Sequence, residues 1–378
     1  MKHPELALEQ ILSSSSPLEA ESAPLEDCSG RALAQDVAAG ADLPPFDHAA
    51  VHGYAVLARD VEGASADYPA PLMISERLRG TGTAVPVEPG APVPEGAQAV
   101  VAVALAQPEG GVVRVMEPAR LGALIRLRGE DVRRGELLFE KGAVLRPQDL
   151  AVLAAEGLTR VAVSRRARVA VATCAGESFD AAGPAVYAAV ESWGALGQPR
   201  GTLPEGERAV REALAAALGA SDVLVLVPRL AESCRESASA ALLSLGLEPE
   251  FWGVATEPGS SFFFGRCRGK LVFGLPGPAS AALICLEEFV RPALERLHGR
   301  AGAAPDYPLT GTLDRDLLKA GARQLFAYAR AEPEASGYRL RLIPAHRLGL
   351  AREANALVRV PIGPSRLPAG SPVSFRRM

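Results

Sequence analysis

The chain lacks any run of about 18 apolar residues, and its first stretch, MKHPELALEQILSSSS, lacks the continuous apolar core of a secretory leader. A cytoplasmic protein that is not integral to a membrane is expected. Cysteine is sparse. Cys28, Cys174, Cys234, Cys267 and Cys285 form no Cys-x-x-Cys pair, which argues against a disulfide framework or a thiolate metal cluster and for free buried thiols. No sign of charge dominates: 40 Lys plus Arg stand against 44 Asp plus Glu, a net of -4, so no basic field points to nucleic acid or to an anionic membrane. A Gly-x-Ser-x-Gly elbow, a phosphate-binding P-loop and a Cys/His dyad are also missing.

What is present suits a globular protein. Apolar residues make up 48% and charged residues 22%, and 378 residues exceed what one core usually serves, so two or more domains are expected. Apolar spacing predicts a helix over residues 4–13, stopped by Ser13–Ser16 and Pro17, and a second helical stretch over Pro24–Val37. From Asp42 to about Pro118 the chain is rich in Pro and Gly, with short Val-rich pieces such as AQAVVAVAL and GGVVRVM, which reads as a small β domain. A short strand, a turn and a helix near Pro147–Glu156 then return to the first region, making the β piece an insertion into a discontinuous domain. From Arg168 strands and helices alternate, among them RVAVATC, DVLVLVP and KLVFGLPG, with a helix from about Ala279 to Leu297. This pattern predicts βαβ units, a mostly parallel sheet, and a ligand site at the carboxyl ends of its strands. After the Gly/Ala-rich HGRAGAAP, residues 306–378 read as a small all-β domain.

Four stretches could carry chemistry. LPPFDHAAVHGYAV, residues 43–56, holds His48 and His52, four apart. Such a pair shares a face only on a helix, and Pro44, Pro45 and Gly53 argue for a loop instead. In VFGLPGPASA a strand, a Gly/Pro turn and a helix start follow one another, so amide groups around Gly277–Ser280 could hold an anion. Glu177, in ATCAGESF after the first parallel strand, could ligate a metal or a hydroxyl, or be only solvated. RLRGED, residues 126–131, could clamp an anion or form an exposed ion-pair network of little energetic weight.

Together these stretches resemble one family, the molybdopterin molybdenumtransferases, MoeA in bacteria and the E domain of gephyrin in animals. GRALAQDVAAGADLPPFDHAAVHGYAV is similar to its N-terminal signature Leu-Pro-Pro-Phe-Asp-Asn-Ser-Ala-Met-Asp-Gly-Tyr-Ala. PGAPVPEGAQAVV, RLRGEDVRRGELLFEKGAVLRPQDLAVLAAEGLTRVAV, VFGLPGPASA, FVRPAL and ANALVRVP with LPAGSPV follow in the family's order. The resemblance implies an α/β multidomain fold: an elongated four-domain subunit in a homodimer. Residues 1–41 and 119–165 would form a discontinuous linker and dimerisation domain, 42–118 the inserted β domain, 166–303 a parallel molybdopterin-binding-like α/β domain, and 304–378 the C-terminal β domain. It also implies insertion of molybdenum into adenylylated molybdopterin, with Mg2+ and with molybdopterin and molybdate as the reacting groups.

Position by position the chemistry departs from that pattern. His52 stands at the Asp of Met-Asp-Gly-Tyr, and His48 at the preceding Asn. Pro89 stands at the Thr of Thr-Gly-Ala-Pro. In TCAGE, Glu177 keeps the acid of the family's Ser-Thr-Gly-Asp-Glu while Gly176 replaces its Asp. VPRLAESC replaces Gly-Gly-Val-Ser-x-Gly, EPGS replaces Lys-Pro-Gly-Lys, and GLPGPA replaces Gly-Leu-Pro-Gly-Asn-Pro. Lost cations and a gained carboxylate disfavour phosphate or molybdate. The resemblance therefore assigns His52 and Glu177 to degenerate catalytic positions, and Arg128, Asp131, Gly274, Pro276, Gly277 and Ser280 to the cofactor-binding frame, with no metal ligand assigned. A pseudoenzyme is expected, a dimeric scaffold with a protein or peptide partner at the C-terminal domain as in the gephyrin branch; the alternative is a working transferase with an altered site.

Overall fold

The computed structural model describes residues 1–174, 181–227, 232–300, 304–335, 337–344 and 347–378. They fall into two compact units, one of Met1–Ala34, Gly142–Arg146 and Arg160–Met378, the other of Gln35–Lys141 and Pro147–Thr159. No described helix is long and apolar enough to cross a membrane.

Within the first unit six strands form a sheet in the order Leu196–Thr202, Arg168–Thr173, Val223–Val227, Lys270–Gly274, Phe263–Cys267, Leu247–Trp252. The first four run parallel, and Phe263–Cys267 is antiparallel to both of its neighbours. The sequence VLVLV explains the centre: Val223, Val225 and Val227 pack on one face with Val186, Val190, Phe289 and Leu294. Leu224 and Leu226 turn to the other face, against Val210, Leu214, Leu218 and Leu242. A strand buried on both faces must be apolar at every position rather than at every second one. The helix Pro4–Ser13 lies where the spacing predicts, and its Ala7 and Ile11 join the first of these cores.

The helix that begins at Ala279 runs through Ala279–Cys285, a wide turn at Leu286–Val290, and Arg291–Leu297. Pro292 has no N–H to give to a carbonyl one turn back, and the helix widens just before it. Glu288 in that turn is buried, accepts the Tyr307 hydroxyl at 2.6 Å and meets Arg376 at 3.1 Å. Burial pushes its carboxyl up, against the pull of Tyr307 and Arg376. Arg376 belongs to the strand Pro372–Arg377 of a second sheet. There Gln324–Glu334, Gly337–Leu342, Leu309–Leu313, Pro372–Arg377 and Ala356–Val360 follow in order, and the last pairs back with the first, closing a barrel around Ala329, Leu340, Val358 and Phe375.

The second unit holds a sheet in the order Ala99–Ala102, Gly53–Val56, Thr83–Val87, Ala70–Ile74, Val112–Val115, Ala106–Glu109. Tyr54 and Val56 pack on one side with Val101 and Val113, and Ala55 on the other with Val85 and Val100.

Pro24–Val37 is not helical. Only Leu25–Asp27 makes a 3-10 turn; Gly30 then takes φ +74°, and Ala32 and Leu33 bridge to Val144 and Val163. Backbone pairing with distant strands overrides the local helical spacing there. Cys28, Cys267 and Cys285 are free and buried, as expected, and Cys174 is buried; the Cys234 side chain and residues 301–303 lie outside the described residues.

Candidate functional site

Three stretches far apart in sequence meet in the second unit. His48–Ala49 pairs with Ile125–Arg126 as a short antiparallel ladder. Ala49 also accepts the Gly90 N–H at 2.9 Å and donates to Ala91 O at 3.0 Å, while Val93 N–H donates to Asp47 O at 2.9 Å. Gly129 N–H donates to Pro44 O at 3.0 Å, and Asp131 and Val132 donate to Leu43 O at 3.0 and 3.1 Å. LPPFDHAAVHGYAV, PGAPVPEG and RLRGED therefore form one loop cluster held by backbone hydrogen bonds. Gly53 sets its edge: a Cβ there would lie 2.0 Å from Val101 O.

Carboxylates fix the cluster. Asp42 accepts the Arg134 N–H at 2.8 Å and Arg128 Nε at 2.6 Å, and these bonds hold its carboxyl below the ordinary value. Asp47 accepts the Arg128 N–H at 2.7 Å. Glu130 accepts the Leu127 N–H at 2.9 Å and Arg126 Nη1 at 2.8 Å, which lowers its pKa as well. His52 Nε2 lies 3.6 Å from Glu88 Oε1, with both side chains more than half exposed, and His48 Nδ1 lies 3.5 Å from Phe46 O. Asp131 is exposed, and its side chain makes no hydrogen bond or ion pair among the described residues.

These residues do not assemble a divalent-cation site. Asp42 and Glu130 spend both oxygens on N–H donors, and among the described residues no three His, Cys, Asp or Glu side chains gather. A hard cation takes several oxygen ligands, and here Asp131 is a carboxylate with neither oxygen engaged among the described residues.

At the carboxyl ends of the parallel strands, in the first unit, lie Gly274, Pro276, Gly277 and Ser280. Gly274 is a packing glycine, since a Cβ there would meet the Phe263 ring at 1.9 Å. Pro276 and Ser280 are buried and Gly277 half-buried. Pro278 caps the following helix without a side-chain hydrogen bond, so the first turn keeps N–H groups that have no acceptor within the helix. Glu177 lies outside the described residues, as do residues 228–231 of VPRLAESC. The same unit places Glu257 on the short strand Thr256–Glu257, which pairs with Gln324–Leu325 of the barrel sheet, and its carboxylate accepts the Ala320 N–H at 3.3 Å.

The structure thus brings His52, Arg128 and Asp131 into one cluster and Gly274, Pro276, Gly277 and Ser280 into another. Sequence reasoning missed Asp42 and Asp47, the anchors of the first cluster; their position on either side of Leu-Pro-Pro-Phe was the available signal, because short acidic side chains beside a proline turn commonly accept backbone N–H groups.

A parallel α/β sheet with its Gly/Pro turn at the strand ends, a β sheet reached through an interrupted chain, and a closed C-terminal β barrel define the class of fold found in molybdopterin biosynthesis proteins. The family model for the MoeA N-terminal region (domain I and II) matches residues 3–157, and that for the probable molybdopterin binding domain matches residues 160–296. A molybdopterin molybdenumtransferase of Staphylococcus aureus (strain Mu50) is 27% identical, covering 98% of this chain and 94% of its own length; that of Synechococcus elongatus is 28% identical, covering 96% and 95%. Two crystal structures of the MoeA protein from Pyrococcus horikoshii superpose with TM-scores of 0.80 and 0.78 at 26% and 25% identity, each covering 99% of this chain and 98% and 99% of its own. The chain belongs to the MoeA family of molybdenum cofactor biosynthesis, and its mixed α/β fold is that family's.

Proposed function

We propose that this chain is a homodimeric, cytoplasmic MoeA-family protein whose own insertion of molybdenum into adenylylated molybdopterin is weak or absent, and that it serves as a scaffold for a protein or peptide partner. The observation that carries the reading is Glu257. The family's lysine position holds a carboxylate bonded to a backbone N–H at 3.3 Å, where phosphate or molybdate would need a cation. His52 adds to it by facing Glu88 rather than supplying a carboxylate. Pro89 offers neither a hydroxyl nor an N–H.

For the partner, support comes from a cavity of 300 Å³ in the first unit, walled by Leu317, Leu318, Phe326, Tyr328, Ile343 and Pro344, where Leu318 is 76% exposed. An apolar side chain of a peptide fits such a hollow. The division at residues 41, 118, 165 and 303 belongs to the same reading; the sheet within residues 53–115 and the barrel within 309–377 support it.

Incubated with adenylylated molybdopterin, molybdate and Mg2+, the protein is expected to release AMP at least about a hundredfold more slowly than the Staphylococcus aureus relative, the loss typical of removing one electrostatic stabiliser. The second reading, a working transferase with an altered site, is favoured by the unengaged carboxylate of Asp131. AMP release at the relative's rate would establish it.

A further inference from the structure

A cavity of 230 Å³ lies at the amino ends of the parallel strands, the end opposite Pro276 and Ser280, beside the residues that precede the strands Arg168–Thr173 and Leu196–Thr202. Four guanidinium groups line it, those of Arg31, Arg166, Arg291 and Arg300, together with His298 and Trp193. Their counter-charges do not balance. Arg31 pairs with Glu21, Arg300 with Glu295 at 2.7 Å, and Arg291 with Glu287 at 3.1 Å and Glu295 at 3.6 Å. Four cations meet three carboxylates, and the Arg166 side chain is exposed with no hydrogen bond or ion pair among the described residues.

The donors are unbalanced too. The Arg31 side chain is only 10% exposed; its Nη2 donates to Ser164 O at 2.9 Å, but its Nε has no acceptor among the described residues. Arg300 Nη2 donates to Gly30 O at 2.6 Å, and its Nε is likewise buried without an acceptor among the described residues. Buried guanidinium N–H groups left unmatched are costly. His298 accepts the Ala167 N–H on Nε2 at 3.1 Å, which leaves Nδ1 as the protonated nitrogen of a neutral ring. The Arg291 guanidinium sits 5.5 Å over the Trp193 ring, so the wall carries its own optical reporter.

We infer that this cavity is a binding site for a tetrahedral phosphate-type oxyanion, free or as the terminal group of a phosphate monoester, held by Arg166, Arg31 and Arg300 with His298 as a neutral donor. Forked guanidinium donors match tetrahedral oxyanions. The site lies apart from the family's chemistry and does not depend on whether the protein transfers molybdenum. Burial first, and then Arg300, Arg166 and Arg31, push the His298 pKa down to about 4. A bound anion offsets the three arginines and raises it.

The test uses the full-length Trp252→Phe variant, in which Trp193 is the single tryptophan. Titration with inorganic phosphate, and separately with glycerol 3-phosphate, at ionic strength held constant with KCl, is expected to change Trp193 fluorescence saturably. Preference between the two arms tells the free ion from the ester. Arg166→Gln, at an exposed position that leaves the core untouched, is expected to weaken binding about tenfold; NMR titration of His298, assigned by His298→Gln, is expected to show an upward pKa shift in phosphate. No saturable change with either ligand, or unchanged binding in Arg166→Gln, overturns the assignment.

Discussion

Gly53→Ala is expected to unfold the second unit first, at a cost of about 3 kcal/mol, the upper part of the range for forcing extra atoms into a packed interior. Gly53 pairs with Ala102 on one side and Val87 on the other, and any Cβ would sit 2.0 Å from Val101 O and 2.9 Å from Val101 C. The obstruction is backbone in a paired strand and cannot swing aside, so the ladder joining the edge strand Ala99–Ala102 to Gly53–Val56 must part. Because the chain has two compact units, the loss is read locally: hydrogen exchange of the Gly53–Val56 amides accelerates while that of Val223–Val227 holds. Gly63→Ala serves as the control, with open space around it and no left-handed backbone, and should change stability by less than about 0.5 kcal/mol.

Asp222→Ala is expected to destabilise the first unit by about 3 kcal/mol, since removing one partner of a largely buried ion pair strands the other. Asp222 receives Arg165 at 2.7 and 2.9 Å and the Arg168 N–H at 2.8 Å, with Arg168 Nε and Lys270 Nζ each at 3.7 Å. Burial pushes its carboxyl up, but Arg165 and the Arg168 amide outweigh burial and bring it down from 3.8 to about 2. A carboxyl depressed in the folded state stabilises fully above its unfolded pKa and ceases to do so as pH falls through its folded one. The stabilising contribution is therefore complete above pH 3.8 and is lost as pH falls toward 2. Urea melts at stepped pH are expected to show the wild type losing stability in that window and Asp222→Ala losing less. Equal slopes would mean that Asp222 is not the group responsible.

Much of the fold was legible where burial imposes a pattern. VLVLV could only be a strand covered on both faces, and the spacing in Pro4–Ser13 could only bury one stripe of a helix. Strands without such a pattern were missed. Leu196–Thr202 reads LGQPRGT, a sheet-edge strand with a proline and two glycines, and it is fixed by pairing with Arg168–Thr173. Phe263–Cys267 has a glycine at its centre because a Cβ on Gly265 would come within 2.7 Å of Glu248 O. Pro24–Val37 went the other way: its helical spacing yields to bridges from Ala32 and Leu33 to chain more than a hundred residues away.

For the site, the motif residues were readable one at a time, but not the partners that neutralise them. Nothing in the local sequence links Asp42 to Arg128 and Arg134, or Glu257 to the Ala320 amide. Those pairings engage both oxygens of Asp42 and one oxygen of Glu257 with N–H donors. The arginines around His298 come from 31, 166, 291 and 300, a separation that hides a basic cavity inside a chain of net charge -4.

We propose that the MoeA frame persists here without its chemistry. The most direct test is the activation of a molybdenum-free molybdoenzyme by the product of this protein acting on adenylylated molybdopterin, molybdate and Mg2+, run beside the Staphylococcus aureus relative. The account predicts activation at the level of the protein-free control over the period in which the relative's product saturates the enzyme. Activation at the relative's rate would contradict it.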